Sequence, residues 1–279
     1  FPVRGTMNAI SRAKDILLDP RGFAEEAGSD FRLSKLAGVN PRRIGLSATI
    51  GDLESTGKFL SAGTGRKTAI PKIEAGGARW RLSMEHFYVL GAQAAEEREI
   101  QDAQPELDGK TDTAPVNADP AMGYIFEHTR GKKCLVFLNS REECEAATTT
   151  LRQYCEIRHE PDRFLIHHGN LSTSYRETAE AIMKDEEQFL TTVTTATLEL
   201  GIDIGRLERA FQVDAPFTVS SFLQRMGRTG RRDLPPEMWF VMQEEQPEAR
   251  AMLPVTVPWT LIQGIALIQL YREERWVEP

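Results

Sequence analysis

Ser220-Ser-Phe-Leu-Gln-Arg-Met-Gly-Arg-Thr-Gly-Arg-Arg232 is the stretch from which the rest of the chain is read. Phe222, Leu223 and Met226 phase as one side of a half-apolar helix, which runs into a turn spacing Gln224, Arg228 and Arg231 toward one point. Gly227 and Gly230 relieve the backbone of side-chain bulk where it bends, and each guanidinium offers a fixed fork of donors that fits phosphate oxygens. The pattern reads as a phosphate-handling element. Taken alone, it also fits an amphipathic helix ending in a solvated basic tail.

The residues before it choose between the two. From Pro120 onward, apolar strands alternate with amphipathic helices, as in a parallel sheet with crossover connections. Strands are expected at 133–138, 164–166, 189–194, 210–213 and 238–242, with helices at 141–153 and 174–184 and the arginine-bearing helix before the last strand. Ligands of such sheets gather at the carboxyl ends of the strands. There the sequence places Asn139-Ser-Arg141, His167-His-Gly-Asn-Leu-Ser172 followed by Arg176, and Thr194-Thr-Ala-Thr-Leu-Glu-Leu-Gly-Ile-Asp-Ile204. Each piece also has a plain structural use: His168 as a packed or surface histidine, Thr195 as a strand-favouring residue, Asp203 as a cap.

In order and spacing, the set resembles the second lobe of the superfamily 2 helicases, the DEAD/DEAH-like nucleic-acid motors. Gln224 to Arg231 resembles their motif VI, residues 139–141 their motif IV, and residues 194–204 their motif V. The wording of Thr-Leu-Glu-Leu-Gly-Ile-Asp-Ile-Gly and of Phe-Leu-Gln-Arg-Met-Gly-Arg-Thr-Gly-Arg, the latter with Gln224 where DEAD-box proteins have His, looks like the Lhr-like branch. The likeness covers residues 41–60 and 119–243. It implies that Arg228 and Arg231 meet a γ-phosphate and that Gln224 senses it. Gly201, Asp203, Ser47 and Thr49 would serve ATP and inter-lobe contacts, and Asn139, Ser140, Arg141, His168, Gly169, Arg176 and Thr195 would hold strand phosphates. It further implies ATP and Mg²⁺ as cofactors, bound mainly by first-lobe motifs, with single-stranded DNA favoured over RNA and a monomeric protein.

Ser47-Ala-Thr49 lies in Arg42-Arg-Ile-Gly-Leu-Ser-Ala-Thr-Ile-Gly-Asp52, a short apolar strand leading to a helix that Asp52 caps as far as Leu60. It resembles motif III, which links the two lobes. Ser61-Ala-Gly-Thr-Gly-Arg-Lys-Thr68 imitates a P-loop, but Ser61 and Arg66 stand where glycines are needed, so a plain loop is expected. Met238 to Glu245 imitates a Walker B strand on the wrong side of the arginines. With neither a P-loop nor an Asp-Glu-x-His box, half of an ATP site is absent, and the chain is expected to be an inactive piece of a longer helicase.

The domain reading is a remnant of the first lobe at 1–90, including strand-like alternation at 72–90, then an acidic linker at 91–118. The second RecA-like lobe, an α/β parallel sheet flanked by helices, follows at 119–243. An extension at 244–279 is apolar nearly all round; it fits either the entrance to a winged-helix domain or a helix packed back on the lobe.

Composition restricts the partners. With a formal net charge of −7, the 279-residue chain cannot coat nucleic acid with its whole surface, so any contact must be a local basic track. Three cysteines without paired spacing give neither a disulfide framework nor a zinc site, and a reducing, cytoplasmic setting fits. No membrane-spanning run and no metal-ligand cluster is expected. The competing class is a non-catalytic RecA-like module that binds nucleic acid or protein; the motor of a defence complex would share the chemistry.

Overall fold

The computed structural model describes residues 43–45, 50–71, 79–89, 114–115, 119–185, 187–199, 204–205, 207–230, 235–247, 251–274 and 276–277. Ser47, Thr49, Gly201, Asp203, Arg231 and all but two residues of the expected linker lie outside this set. The chain divides into two units, one of residues 1–47 and 52–73, the other of residues 48–51 and 74–279.

In the first unit Asp52 begins helix α1 (Leu53–Ser61) as expected, its Oδ1 accepting from the backbone N–H groups of Glu54 and Ser55 at 3.0 Å. Hydrogen bonding from Ser55 holds this carboxyl below its usual value. Past α1 the P-loop imitation is irregular backbone, fastened where Thr68 donates to the Gly57 carbonyl at 2.8 Å.

The second unit is built on a six-stranded sheet in the order β1-β6-β5-β2-β4-β3, all pairs parallel. Its elements are β1 (Arg81–Val89), α2 (Pro120–His128), β2 (Cys134–Phe137), α3 (Arg141–Ile157), β3 (Phe164–His167), α4 (Thr173–Lys184) and β4 (Thr191–Thr194). After a 3₁₀ turn, η1 (Ala196–Leu198), come β5 (Arg209–Val213), α5 (Val219–Met226), β6 (Glu237–Glu245), the short α6 (Leu253–Thr256) and α7 (Trp259–Glu274). β2, Cys-Leu-Val-Phe, and β4, Thr-Thr-Val-Thr, are buried along their whole length, covered on both faces. Phe126, Leu151, Phe164 and Val193 pack under α2 and α3. On the other side Leu135, Phe137, Leu198 and Ile204 form one cluster, and Phe222, Met226, Phe240 and Leu267 a second, which joins α5 and α7 to β6.

Two features bear on the domain reading. The strand expected in a first-lobe remnant is β1, and it pairs with β6 along nine residues from Arg81↔Glu237 to Val89↔Glu245. β1 thus belongs to the unit that takes in residues 74–279. The reason is packing: Leu82 and Met84 pack against the α5–α7 cluster, and Phe87 against the α2 cluster. The apolar tail, open between two readings, packs back on the lobe. Leu267 is buried, and Gly264 brings α7 against the side chains of Met242 and Met84, a Cβ there standing 2.5 Å from Met242 Cε. Glu244, part of the Walker B imitation, caps that helix through the Thr260 and Leu261 N–H groups at 2.5 and 3.3 Å.

Candidate functional site

β2 leads to β3 on one side of itself, whereas the neighbouring β5 leads to β6 on the other. This makes the carboxyl ends of β2 and β5 the switch point where such sheets open a crevice. Asn139 bridges it by donating Nδ2–H to the Ala215 carbonyl at 3.0 Å, which leaves Oδ1 buried and without a partner among the described residues. Beside it stands Asp214, at φ 55. Burial first, then the charges of Glu143, Glu244 and Asp119, push its carboxyl up to about 6, against the lowering effect of a hydrogen bond from the Gln243 N–H.

The helix starts along this edge are made by local hydrogen bonds. Ser140 and Glu143 form a reciprocal capping box on α3, with Ser140 Oγ accepting from Glu143 N–H at 3.1 Å and Glu143 Oε2 accepting from Ser140 N–H at 3.1 Å. The Ser140 hydroxyl is thus engaged with its own helix, while Arg141 beside it is exposed. After β3 the histidine expected to hold a strand phosphate is buried. The His168 ring is 2% exposed, with Nε2 3.3 Å from Glu145 Oε1 but not aligned for a hydrogen bond. Gly169 beside it is exposed, while the imidazole is turned into the lobe. Arg176 is half-buried in the first turns of α4, its Nε without a partner among the described residues. Thr195 is half-buried at the N-cap of η1, its side chain making no cap bond.

η1 ties these strand ends to the arginine element. In its middle Thr197 Oγ1 lies 3.0 Å from His167 Nδ1, whose Nε2 is 3.1 Å from Glu180. At its end Glu199 meets α5 and the following turn. The Glu199 carbonyl accepts from Arg228 Nε at 3.0 Å and also from Nη2. Its carboxylate accepts from Arg225 Nε at 2.7 Å and from Ser221 Oγ at 3.3 Å. Gln224 donates to Ser220 Oγ at 3.1 Å.

The two glycines of the element differ. Gly227 keeps an ordinary φ of −65°. Gly230 has φ +74°, and a Cβ there would stand 2.3 Å from the Pro236 nitrogen. Thr229 is buried; its Oγ1 donates to the Met226 carbonyl at 3.1 Å and accepts from Glu237 N–H at 2.9 Å, which pins the turn to β6. Glu199, Arg225, Thr229 and Asp214 were not singled out from the sequence. Only Arg225 carried a signal: it falls in helical phase with Val219, Phe222 and Met226, on the side that is buried.

Residues 118–233 match the model of the helicase conserved C-terminal domain. An ATP-dependent helicase Lhr-Core of Sulfolobus acidocaldarius is 32% identical over 200 residues, which are 71% of this chain and 20% of that protein. The chain belongs to the Lhr-like superfamily 2 helicases. The structure of the Mycobacterium smegmatis helicase Lhr bound to ssDNA and AMP-PNP superposes with a TM-score of 0.62 at 27% identity, covering 89% of this chain and 28% of that one. The helicase MrfA bound to DNA shares the fold, with a TM-score of 0.53 at 21% identity over 83% of this chain and 27% of its own. The unit is therefore the RecA-like C-terminal lobe of such a helicase, and the chain spans about a fifth of the length of the curated Lhr-Core relatives it matches.

Among the described residues no group of three or more His, Cys, Asp or Glu side chains is arranged to hold a metal ion. The guanidinium of Arg228 and the Nε2 amide group of Gln224 supply N–H donors, chemistry that fits phosphate oxygens. Cys134, Cys144 and Cys155 are buried, and burial raises all three thiols, those of Cys134 and Cys144 to about 12, so they are inert as nucleophiles at neutral pH.

Proposed function

We propose that this chain is the arginine-donating lobe of an ATP-dependent nucleic-acid motor. The observation that carries the reading is the short path between two surfaces. Thr195 at the strand-end edge and the Glu199 carbonyl that holds Arg228 are the two ends of one 3₁₀ turn. A strand lying on the edge and a nucleotide facing the arginines would therefore press on the same few residues.

Phosphoryl transfer needs positioning and charge stabilisation more than covalent help, and an arginine at the γ-phosphate contributes on the order of 10³ to 10⁵ in rate. Arg228 fills that role together with Arg231, and Gln224 reads the nucleotide from the preceding helical turn. ATP and Mg²⁺ would be held in the main by the P-loop and carboxylates of the other lobe, where the metal would supply charge neutralisation at the phosphates. Arg141, Gly169, Arg176 and Thr195 take phosphates of a single strand, contacts that position without reading sequence. The strand is proposed to be DNA, since the relative of known structure was solved with ssDNA.

In the full-length helicase, Arg228→Ala is expected to abolish ATP hydrolysis while thermal melting stays nearly unchanged. Retained turnover removes the arginine assignment. The 279-residue chain alone is expected to show no strand-stimulated hydrolysis; robust turnover by it would show that the ATP site is complete here.

A further inference from the structure

The geometry points to Glu199 as the positioning residue that sets the direction of Arg228, acting through a buried ion pair with Arg225. This rests on the proposed role of Arg228. The Glu199 carboxylate is nearly enclosed and receives Arg225 Nε at 2.7 Å, the two side chains being 9% and 4% exposed. Arg225 Nη1 donates to Gln212 Oε1 at 2.5 Å, and its guanidinium lies 5.1 Å from the centre of the Phe137 ring. Gln212 has no freedom to turn, since its Nε2 donates to the Val213 carbonyl at 2.7 Å. A fixed line of polar contacts thus runs from the middle of β5 through Arg225 to Glu199, and the Glu199 backbone passes it to Arg228.

Stability does not require such an arrangement. A buried ion pair recovers little beyond its own desolvation, and well-packed apolar residues of similar volume often replace it without loss. What the pair supplies is a place: it clamps the end of η1 against α5, and the carbonyl so placed accepts two N–H groups of Arg228. Arg225 is committed to a carboxylate of opposite charge, and the carbonyl that this pair places is the one that receives Arg228.

The test is the paired variant Glu199→Leu with Arg225→Met in the full-length helicase, alongside Arg228→Ala. The paired variant is expected to melt near the wild-type temperature and keep its KM for ATP and its ssDNA affinity, while kcat falls at least about tenfold. Wild-type kcat in the folded paired variant, with Arg228→Ala inactive, overturns the positioning role and leaves the arginine assignment standing. An active Arg228→Ala protein removes the assignment itself. Should the paired variant not fold, the readout is the Arg228 Nε–H in Glu199→Gln, followed by NMR hydrogen exchange. Exchange at least about tenfold faster at unchanged melting temperature supports the role; unchanged exchange overturns it.

Discussion

Replacing Asp214 by Asn should make this protein more stable at neutral pH, and the gain should vanish in acid. Asp214 sits at the end of β5 with its carboxyl raised from 3.8 to about 6, chiefly by burial and then by the charges of Glu143, Glu244 and Asp119. Between those two values the native state holds the proton more tightly than the unfolded chain does. Stability therefore falls as pH rises through the window and is lowest above about 6. The span from 3.8 to about 6 corresponds to about 3 kcal/mol at full ionisation. Asn removes the charge and keeps the geometry: its Oδ1 still accepts from the Gln243 N–H, now at 2.9 Å, and Asn tolerates the φ of 55°. Urea unfolding of both proteins from pH 4 to pH 8 gives the difference free of other titrations. A gain of about 2 to 3 kcal/mol at pH 8, shrinking toward zero near pH 4 with equal denaturant slopes, is expected. An Asn variant no more stable at pH 8, or a gain that ignores acidification, would refute the argument that burial drives the shift.

Two further substitutions test the local construction of the site. Gly230→Ala combines a left-handed backbone with a Cβ placed 2.3 Å from the Pro236 nitrogen, and should lower unfolding free energy by roughly 2 to 5 kcal/mol; a urea midpoint within error of wild type would contradict the tight approach. Ser140→Ala removes one half of the α3 capping box and should cost about 1 kcal/mol of stability without changing the melting slope, so a neutral result would mean that Glu143 holds the helix start by itself.

β2 was legible because a strand covered on both faces reads as a short apolar run, and Cys134–Phe137 can be little else, whereas β4, Thr-Thr-Val-Thr, was legible from β-branched residues alone. α1 was legible from one capping aspartate. β1 was legible as a strand but not as a member of this sheet: alternation at Arg81–Val89 says which face is apolar, and its partner β6 lies some 150 residues away. α2 was missed although Asp119-Pro120 marks its start, with the Asp119 side chain accepting from Ala121 N–H at 2.8 Å. Histidine placement was illegible for a similar reason. His167 and His168 are adjacent and have to leave the strand in opposite directions, yet both end buried, because the chain turns between β3 and α4.

The arginines show where pattern reading stops. Arg225 and Arg228 stand three residues apart in one motif, and residue type alone makes them equivalent. Their surroundings separate them: Arg225, on the buried stripe of α5, is committed to Glu199 and Gln212, while Arg228, past the end of that helix, is half-buried against a carbonyl. A guanidinium has five donors and no acceptor, so its function follows from which oxygens it meets and whether they carry charge. The sequence names the donors, but the oxygens belong to Glu199 and Gln212, which lie in other elements and come into reach only when β4, η1 and β5 take their places in the sheet. For this reason the motif marks the arginines, and the fold decides which of them is committed to a buried carboxylate.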